Sequence, residues 1–202
     1  MLLTVACGGG GVTATDTEPA TTSTTGTTSG GGTTTLFPTG SEAPDDPTSG
    51  EFVPLVDPTA WLPVPAPDDP LADHRPAEVE CPIGGWLFEP QGFEIDTLLC
   101  NYAMFSAPAQ AAVIAGNRVR ATLYHFDLVA AEPATAHVAL LLGDLLVWET
   151  EVAIPGKANA FTIDVAVDAT VAPGTPVYFH LHNHGQNTWT LGAVEVEVAA
   201  GG

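Results

Sequence analysis

Basic side chains are scarce in this 202-residue chain. Lysine and arginine together number 4, against 24 aspartates and glutamates, which gives a formal net charge of −20. A surface of this charge repels the phosphates of nucleic acids and the headgroups of anionic lipids. We therefore exclude nucleic acid as a partner. The acidity is explained by solubility, and capture of cations by the carboxylates is the alternative.

Long apolar runs and catalytic motifs are also missing. No apolar run reaches the roughly 18–20 residues that span a bilayer. The sequence has no Gly-x-Ser-x-Gly elbow and no phosphate-binding glycine loop before a helix. Its close carboxylate pairs, such as Glu149 with Glu151, alternate along predicted strands, which is typical of solvated strand faces. These absences favour a non-catalytic protein.

The composition changes along the chain and predicts its organisation. Residues 8–50 are rich in threonine and glycine and poor in large apolar side chains, so they are predicted to be a disordered linker. Prolines recur through residues 51–80 and predict an extended stalk, in which Trp61 either packs on the domain or stiffens the chain. Residues 81–202 are rich in valine, leucine and alanine and are predicted to form the folded domain.

The three cysteines divide into a pair and a single residue. Cys81 and Cys100 bracket a short segment at the start of the predicted domain. In an oxidising compartment they are expected to form a disulfide that stabilises the fold by ~3 kcal/mol. Cys7 is then left without a partner.

Cys7 lies in a distinctive context. The chain begins MLLTVAC, an apolar stretch that ends in the small residue Ala6, and glycines follow the cysteine. This resembles the lipobox of bacterial lipoproteins. The resemblance implies that residues 1–7 hold a short signal segment and that Cys7 becomes acylated after cleavage. We accordingly expect an exported protein, held by its lipid on a membrane of the bacterial cell envelope or at the cell surface, with a glycan or an envelope protein as its partner.

The domain shows the alternation and turn chemistry of strands rather than helices. The predicted strands are 118–128, 136–142, 145–154, 161–168, 176–182 and 194–198. Gly143 and Asp144 suit a two-residue hairpin turn, which would place Ala139 opposite Trp148. Strands without intervening helices predict an all-β fold, an antiparallel β-sandwich.

Three short segments indicate a particular kind of β-sandwich. They are Gly85-Trp86 near its start, Cys100-Asn101-Tyr102 before the first long strand and Asn187-Thr188-Trp189 before the closing strand. From Cys81 to Ala199 the order resembles the galactose-binding-like jelly-roll family. The resemblance implies a jelly-roll-like binding module, often for sugars, that meets its ligand through loops or a sheet face.

Histidines cluster at the end of the strand 176–182. Residues two apart on a strand share a face, so His180 and His182 project together, away from the apolar residues between them. The loop that follows adds further polar and aromatic groups. The predicted ligand-binding residues are Tyr178, His180, His182, His184, Asn187 and Trp189.

Two neighbouring imidazoles can also bind a metal if a third joins them. Zn²⁺ or another divalent transition metal is the expected ion. His125 is the first candidate for the third ligand and His137 the second, whereas His74 in the proline-rich segment is given no role. Alternatively, the histidines hydrogen-bond loop groups or form a pH-responsive patch.

Three functions therefore remain open from the sequence. The first is an envelope-anchored, non-catalytic binding module without a cofactor, for which carbohydrate is a candidate ligand. The second is a metal-binding protein or metalloenzyme built on His180 and His182. The third is a structural envelope lipoprotein.

Overall fold

The computed structural model describes residues 50–199. The predictions for the signal segment, for Cys7 and for the linker up to residue 49 lie outside the described residues. Within 50–199, no helix has the length and apolar character needed to cross a membrane.

Twelve β-strands and two short 3₁₀ helices, Ala66–Asp68 and Ala72–His74, make up the regular structure of this range. The strands are β1 Glu51–Pro54, β2 Leu62–Pro63, β3 Trp86–Glu89, β4 Gly92–Asp96, β5 Tyr102–Pro108, β6 Arg118–His125, β7 Ala134–Leu142, β8 Leu145–Ile154, β9 Asn159–Ala166, β10 Pro176–His182, β11 Thr188–Leu191 and β12 Glu195–Val198.

The strands form two antiparallel sheets, as the alternation predicted. The larger sheet runs β1-β12-β6-β11-β4-β3, and β9 pairs with β6 as its seventh strand. The smaller sheet has the order β2-β5-β10-β7-β8. One apolar cluster contains buried residues from both sheets, so the two sheets face each other across a common core. The predicted all-β antiparallel sandwich is confirmed.

Strand β10 shows how the sequence pattern sets the two faces of the smaller sheet. Val177, Phe179 and Leu181 are buried in the core cluster. His180 and His182 alternate with them and therefore lie on the opposite face. The predicted orientation of this strand is confirmed, and it decides where the histidines meet other elements.

The segment 51–80 belongs to the sandwich rather than to a separate stalk. Strand β1 pairs with β12 along its whole length. Leu55 and Trp61 are buried in the core, where the Trp61 ring stacks on Phe93 at 5.7 Å. The described domain therefore includes residues upstream of the predicted boundary at residue 81, because apolar side chains between the prolines fill the core.

The hairpin of β7 and β8 turns at Gly143 as predicted, but its register differs. Gly143 has a positive φ of 58°, which glycine adopts without strain. A bulge between Leu140 and Leu141 shifts the pairing by one residue. Ala139 consequently lies opposite Glu149 and not opposite Trp148, so the predicted pairing of Ala139 with Trp148 is wrong.

The predicted disulfide between Cys81 and Cys100 is present. It joins the segment before β3 to the residue before Asn101 and β5. The backbone N–H of Asn101 also donates to the carbonyl of Glu80 at 3.0 Å. The chain leading out of the segment 51–80 is thus fixed covalently and by hydrogen bonds to the smaller sheet.

Candidate metal centre

The side of the smaller sheet that faces away from the core, which we call the outer face, carries His137, His180 and His182, three of the six histidines. Its central strand, β10, contributes Tyr178, His180 and His182. On either side, β5 contributes Tyr102 and β7 contributes His137, which are the cross-strand neighbours of His182. The register of three strands therefore brings three aromatic and imidazole rings into one row.

Residues 64–75, which we call the strap, lie against the outer face. The backbone N–H of Val64 donates to the carbonyl of Met104 at 2.8 Å. Val64 and Leu71 pack with Tyr102 and Met104 in a second, smaller apolar cluster. The prolines of the predicted stalk thus shape a segment that covers this face.

A polar triad holds the C-terminal end of the strap in place. The hydroxyl of Tyr102 donates to Oδ2 of Asp69 at 2.6 Å, and Nη1 of Arg75 donates to the same oxygen at 2.9 Å. The Arg75 guanidinium also lies 5.1 Å from the centroid of the Tyr102 ring, within the range of a cation–π contact. Because His74 directly precedes Arg75, these contacts position its imidazole over the outer face.

His74, His137 and His180 meet at this point. One imidazole nitrogen from each lies within 4.8 Å of those of the other two. The ring centroids are 4.0 Å apart for His74 and His137, 5.1 Å for His137 and His180, and 5.6 Å for His74 and His180. The three histidines come from the strap, β7 and β10, so only the folded chain brings them together.

His180 is the most buried member of the group. It is 0% exposed, and neither of its ring nitrogens has a hydrogen-bond partner among residues 50–199. Burial, reinforced by the neighbouring histidines, lowers the pKa of His180 to about 2. The ring is therefore neutral at physiological pH and offers one nitrogen lone pair for coordination.

His137 is oriented by a carboxylate. Its Nε2 lies 3.2 Å from Oε2 of Glu149. An ionised carboxylate only accepts hydrogen bonds, so the proton of neutral His137 belongs on Nε2 and the lone pair on Nδ1. That Nδ1 is buried and has no partner in the described part of the chain. A carboxylate that fixes the tautomer of a histidine in this way is typical of metal-ligating histidines.

The geometry fits a tetrahedral ion after a small adjustment. Three nitrogens at ~2.0–2.1 Å from one ion lie about 3.4 Å from each other in a tetrahedral arrangement. The nitrogens here lie within 4.8 Å, so closure needs shifts on the order of 1 Å. His74 is on a short 3₁₀ helix and is partly exposed, which leaves room for this shift.

Tyr102 borders the group but is not suited to be a ligand. Its ring lies 5.1 Å from the His180 ring. Burial, followed by the hydrogen bond to Asp69, raises the pKa of Tyr102 far above its usual value. The hydroxyl therefore stays protonated and engaged with Asp69.

Two of the predicted site residues lie next to the three histidines. His182 is the cross-strand partner of His137, and its Nε2 is buried without a partner in the range 50–199. His184 follows in the loop, is exposed, and has its ring centroid 4.5 Å from that of His182. Tyr178 lies on the same face and packs against the smaller apolar cluster.

Three other predicted residues lie elsewhere. His125 is on β6 in the larger sheet, where Nδ1 contacts the carbonyl of Phe126 at 2.7 Å; it does not join His180. Trp189 is 0% exposed in the core and does not present a binding surface. Asn187 has a φ of 149° and donates its backbone N–H to Thr97, so it shapes the loop.

Sequence reasoning missed His74 and Glu149. His74 is 63 residues from His137 in the chain, and no local pattern links the two. Glu149 alternates on β8 like a solvated residue, and only the bulge at Val147 in β8 sets it beside His137. One sequence signal could have indicated a role for His74: the segment around it contains apolar residues such as Val64 and Leu71, which pack against the sheet.

An open cleft of about 560 Å³ lies beside His184. Apolar side chains from Leu98, Leu99 and Val129 line it together with the amides of Asn183 and Gln186. The Oδ1 atom of Asn183, a residue only 2% exposed, has no hydrogen-bond partner within the described range. The cleft thus offers apolar surface next to polar side chains.

No protein-family model and no curated protein matches the chain. Solved structures with a similar arrangement include a family 28 carbohydrate-binding module specific for non-crystalline cellulose, at 7% identity and a TM-score of 0.40, covering 68% of this chain and 88% of that one. The K1 cleaved adhesin domain of Lys-gingipain from Porphyromonas gingivalis is 15% identical, with a TM-score of 0.38, and the match covers 75% of this chain and 100% of that one. A family 11 carbohydrate-binding module from Clostridium thermocellum is 8% identical, with a TM-score of 0.30 and coverage of 58% and 82%.

Proposed function

We propose that this protein is a binding module for a divalent transition-metal ion, held by His74, His137 and His180. The observation that carries the proposal is the fully buried His180, whose two ring nitrogens have no partner among the described residues. An unsatisfied buried polar group costs about 1–3 kcal/mol. A metal ion bound to one of these nitrogens removes part of that cost.

The donor set selects the class of ion. Three neutral imidazoles suit Zn²⁺, Cu²⁺ and Ni²⁺ and are poor ligands for Ca²⁺ and Mg²⁺, which prefer oxygen. The carboxylate of Glu149 contacts Nε2 of His137, on the opposite side of the imidazole from the proposed ligand atom Nδ1, and its negative charge strengthens that nitrogen as a donor. A fourth coordination position is left for water or for a further ligand.

Metal content of the tag-free full chain tests the proposal. The protein is stripped with a chelator, incubated with Zn²⁺, Cu²⁺ or Ni²⁺, desalted and analysed by mass spectrometry. The parent is expected to retain one tightly bound equivalent, and the double variant His137→Ala/His180→Ala none. A three-histidine site is expected to retain its metal through desalting. Less than about a tenth of an equivalent of metal bound to the parent would therefore contradict the proposal.

His125→Leu is the matched control for this experiment. His125 is as buried as His180 but lies in the other sheet. The control variant is expected to retain the same equivalent as the parent. Equal loss of metal from His125→Leu and from the double variant would mean that the loss reflects damage to the fold and not removal of ligands.

The module is exported and anchored through Cys7 in this proposal. The lipobox-like start of the chain supports anchoring, and the Cys81–Cys100 disulfide supports export because structural disulfides persist in oxidising compartments. The linker before residue 50 then serves as a tether. Membrane fractionation tests this: Cys7→Ala is expected to move the protein to the soluble fraction, and unchanged fractionation contradicts the anchor.

Carbohydrate is the second candidate ligand, and the cleft beside His184 supports it. The amides of Asn183 and Gln186 next to Leu98 and Leu99 match a sugar ring, which has hydroxyl groups at its rim and an apolar face. A glycan array with the metal-free and metal-loaded protein tests this candidate. Binding that is lost in Leu98→Asp supports it, and the absence of binding in both states contradicts it.

A further inference from the structure

We infer that His182 and His184 form a second, weaker metal site that captures an ion at the surface and passes it to the inner group of His74, His137 and His180. This inference rests on the metal-binding function proposed above and concerns how the same site is loaded. Two histidines that face each other at the mouth of a buried three-histidine group carry the argument.

The first step is the geometry of the pair itself. The ring centroids of His182 and His184 are 4.5 Å apart and their planes are inclined at 56°. His184 is exposed to solvent and His182 is partly buried. The pair therefore has one ring that meets the solvent and one that reaches into the protein.

The second step is an unsatisfied atom. Nε2 of His182 is buried and has no hydrogen-bond partner in the range 50–199. A buried ring nitrogen without a partner is the kind of donor that a metal ion can satisfy.

The third step is the connection to the inner group. His182 and His137 are directly opposite each other on β10 and β7, and side chains at such positions have Cβ atoms roughly 4.5–5.5 Å apart. On the other side of His182 the position is filled by Tyr102, whose ring is 5.6 Å away and whose hydroxyl is bonded to Asp69. The imidazole next to His182 in this row is therefore that of His137.

Transfer along this row is ligand exchange and needs no redox step. An ion held by His184 and His182 first exchanges the imidazole of His184 for that of His137. It then exchanges the imidazole of His182 for that of His180 and gains His74, which leaves His182 and His184 free again. Three imidazoles bind more tightly than two, so the ion moves inward. The net charge of −20 raises the local concentration of cations and supports capture at the surface.

Binding and loading of Cu²⁺ by the full chain test the inference. The visible absorption of Cu²⁺ is followed by titration for stoichiometry and by stopped flow for the rate of loading. The parent is expected to bind one tight and one weaker equivalent. His184→Ala is expected to lose the weaker equivalent and to keep the tight one. Its loading rate is expected to be lower by a factor of about 10 or more, because capture at the surface increases association rates by at least this factor.

Gln110→Ala is the matched control, since Gln110 is an exposed polar residue in the loop after β5, outside the histidine groups and the cleft. It is expected to behave as the parent. A loading rate that is the same in His184→Ala, Gln110→Ala and the parent would overturn the inference, even if the tight equivalent is present. The absence of a weaker equivalent in the parent would also overturn it.

A variant of the inner group separates failure of this inference from failure of the metal function. His180→Ala removes a ligand of the inner group but leaves His182 and His184 in place. It is expected to lose the tight equivalent and to keep the weaker one, which His182→Ala/His184→Ala then abolishes. If the parent itself has no tight equivalent, the proposed metal-binding function is wrong. If only the weaker equivalent and the effect on the loading rate are missing, only the inferred capture by His182 and His184 is wrong.

Discussion

His125 and His180 are both buried histidines on β-strands, yet their surroundings are opposite in kind. They are 2% and 0% exposed. Nδ1 of His125 is 2.7 Å from a backbone carbonyl, and its ring packs 4.3 Å from that of Trp189. His180 has no hydrogen bond within the described part of the chain and is surrounded by imidazoles and by Tyr102. The environment of His125 is that of a core residue, and the environment of His180 is the one expected of a metal ligand.

This comparison shows that burial alone does not identify a metal ligand. Nε2 of His125 is also buried and unpaired in the range 50–199. His125 has no other ligand atoms converging on its free nitrogen, because the group of such atoms in this range contains His74, His137 and His180 only. Convergence of several lone pairs, rather than one unsatisfied nitrogen, distinguishes the candidate centre.

Removing the ligand from the strap is expected to have the largest effect. His74→Ala should weaken Zn²⁺ binding by roughly 100-fold or more, because the ~10–16 kcal/mol of a structural zinc site is shared among about four ligands. His125→Leu should leave the affinity unchanged. Competition titration against a chelator of known affinity measures both. Parent-like affinity in His74→Ala would remove the strap from the site.

The pH dependence of the metal-free protein is the second way to sharpen the comparison. The pKa of His180 is lowered to about 2, so its contribution to stability is fully present above the unfolded-state pKa of about 6.5 and is lost as the pH falls below that value. From pH 7 to pH 5 the free energy of unfolding should fall by about 2 kcal/mol on account of this residue.

Urea denaturation at pH 7 and pH 5 in the presence of a chelator measures this loss. His180→Leu should remove most of the difference between the two pH values, whereas His125→Leu should retain it. A difference that survives unchanged in His180→Leu would mean that other groups are responsible for the pH dependence.

The carboxylate behind His137 is expected to have a smaller effect than a ligand. Glu149→Gln keeps the shape of the side chain but removes the charge that fixes the His137 tautomer, and should weaken Zn²⁺ binding about 10-fold, at the lower end of such effects. Glu151→Gln is the matched control, because Glu151 is an exposed carboxylate directly opposite His137, whereas the contact with Nε2 of His137 is made by Glu149. Isothermal titration of both variants checks the prediction, and equal losses would point to general electrostatics.

The part of the site that could be predicted from the sequence is the part that depends on local periodicity. Alternation along β10 placed Val177 in the core and His180 with His182 on the other face, as the structure has them. The turn at Gly143 and the disulfide of Cys81 with Cys100 also follow from short-range chemistry. Each of these depends on neighbouring residues or on simple pairing.

What could not be predicted depends on tertiary contacts. The strap is held by Asp69, Arg75 and Tyr102, residues whose meeting no periodicity encodes, so His74 was placed in a stalk. The extra residue Val147 in β8 shifts the pairing of that strand by one residue and thereby exchanges its two faces, which brings Glu149 beside His137. The sequence also does not show which sheet each strand joins, and β6 joins the larger sheet, which places His125 away from His180.

The smallest expected effect is on the stability of the metal-free protein, where His180→Leu and His125→Leu should change the free energy of unfolding in opposite directions. His180→Leu removes two unpaired nitrogens and should raise the free energy of unfolding by about 1 kcal/mol, since replacing an unsatisfied buried polar group by an apolar one of similar size is neutral or stabilising. His125→Leu breaks the contact with the Phe126 carbonyl and should lower it by about 1 kcal/mol. Chemical denaturation in the presence of a chelator measures both. Zn²⁺ at about 100 times its dissociation constant for the inner group should then stabilise the parent and His125→Leu by about 2.7 kcal/mol, and should stabilise His180→Leu much less. Destabilisation of the metal-free protein by His180→Leu, equal to that by His125→Leu, would show that His180 is an ordinary core residue.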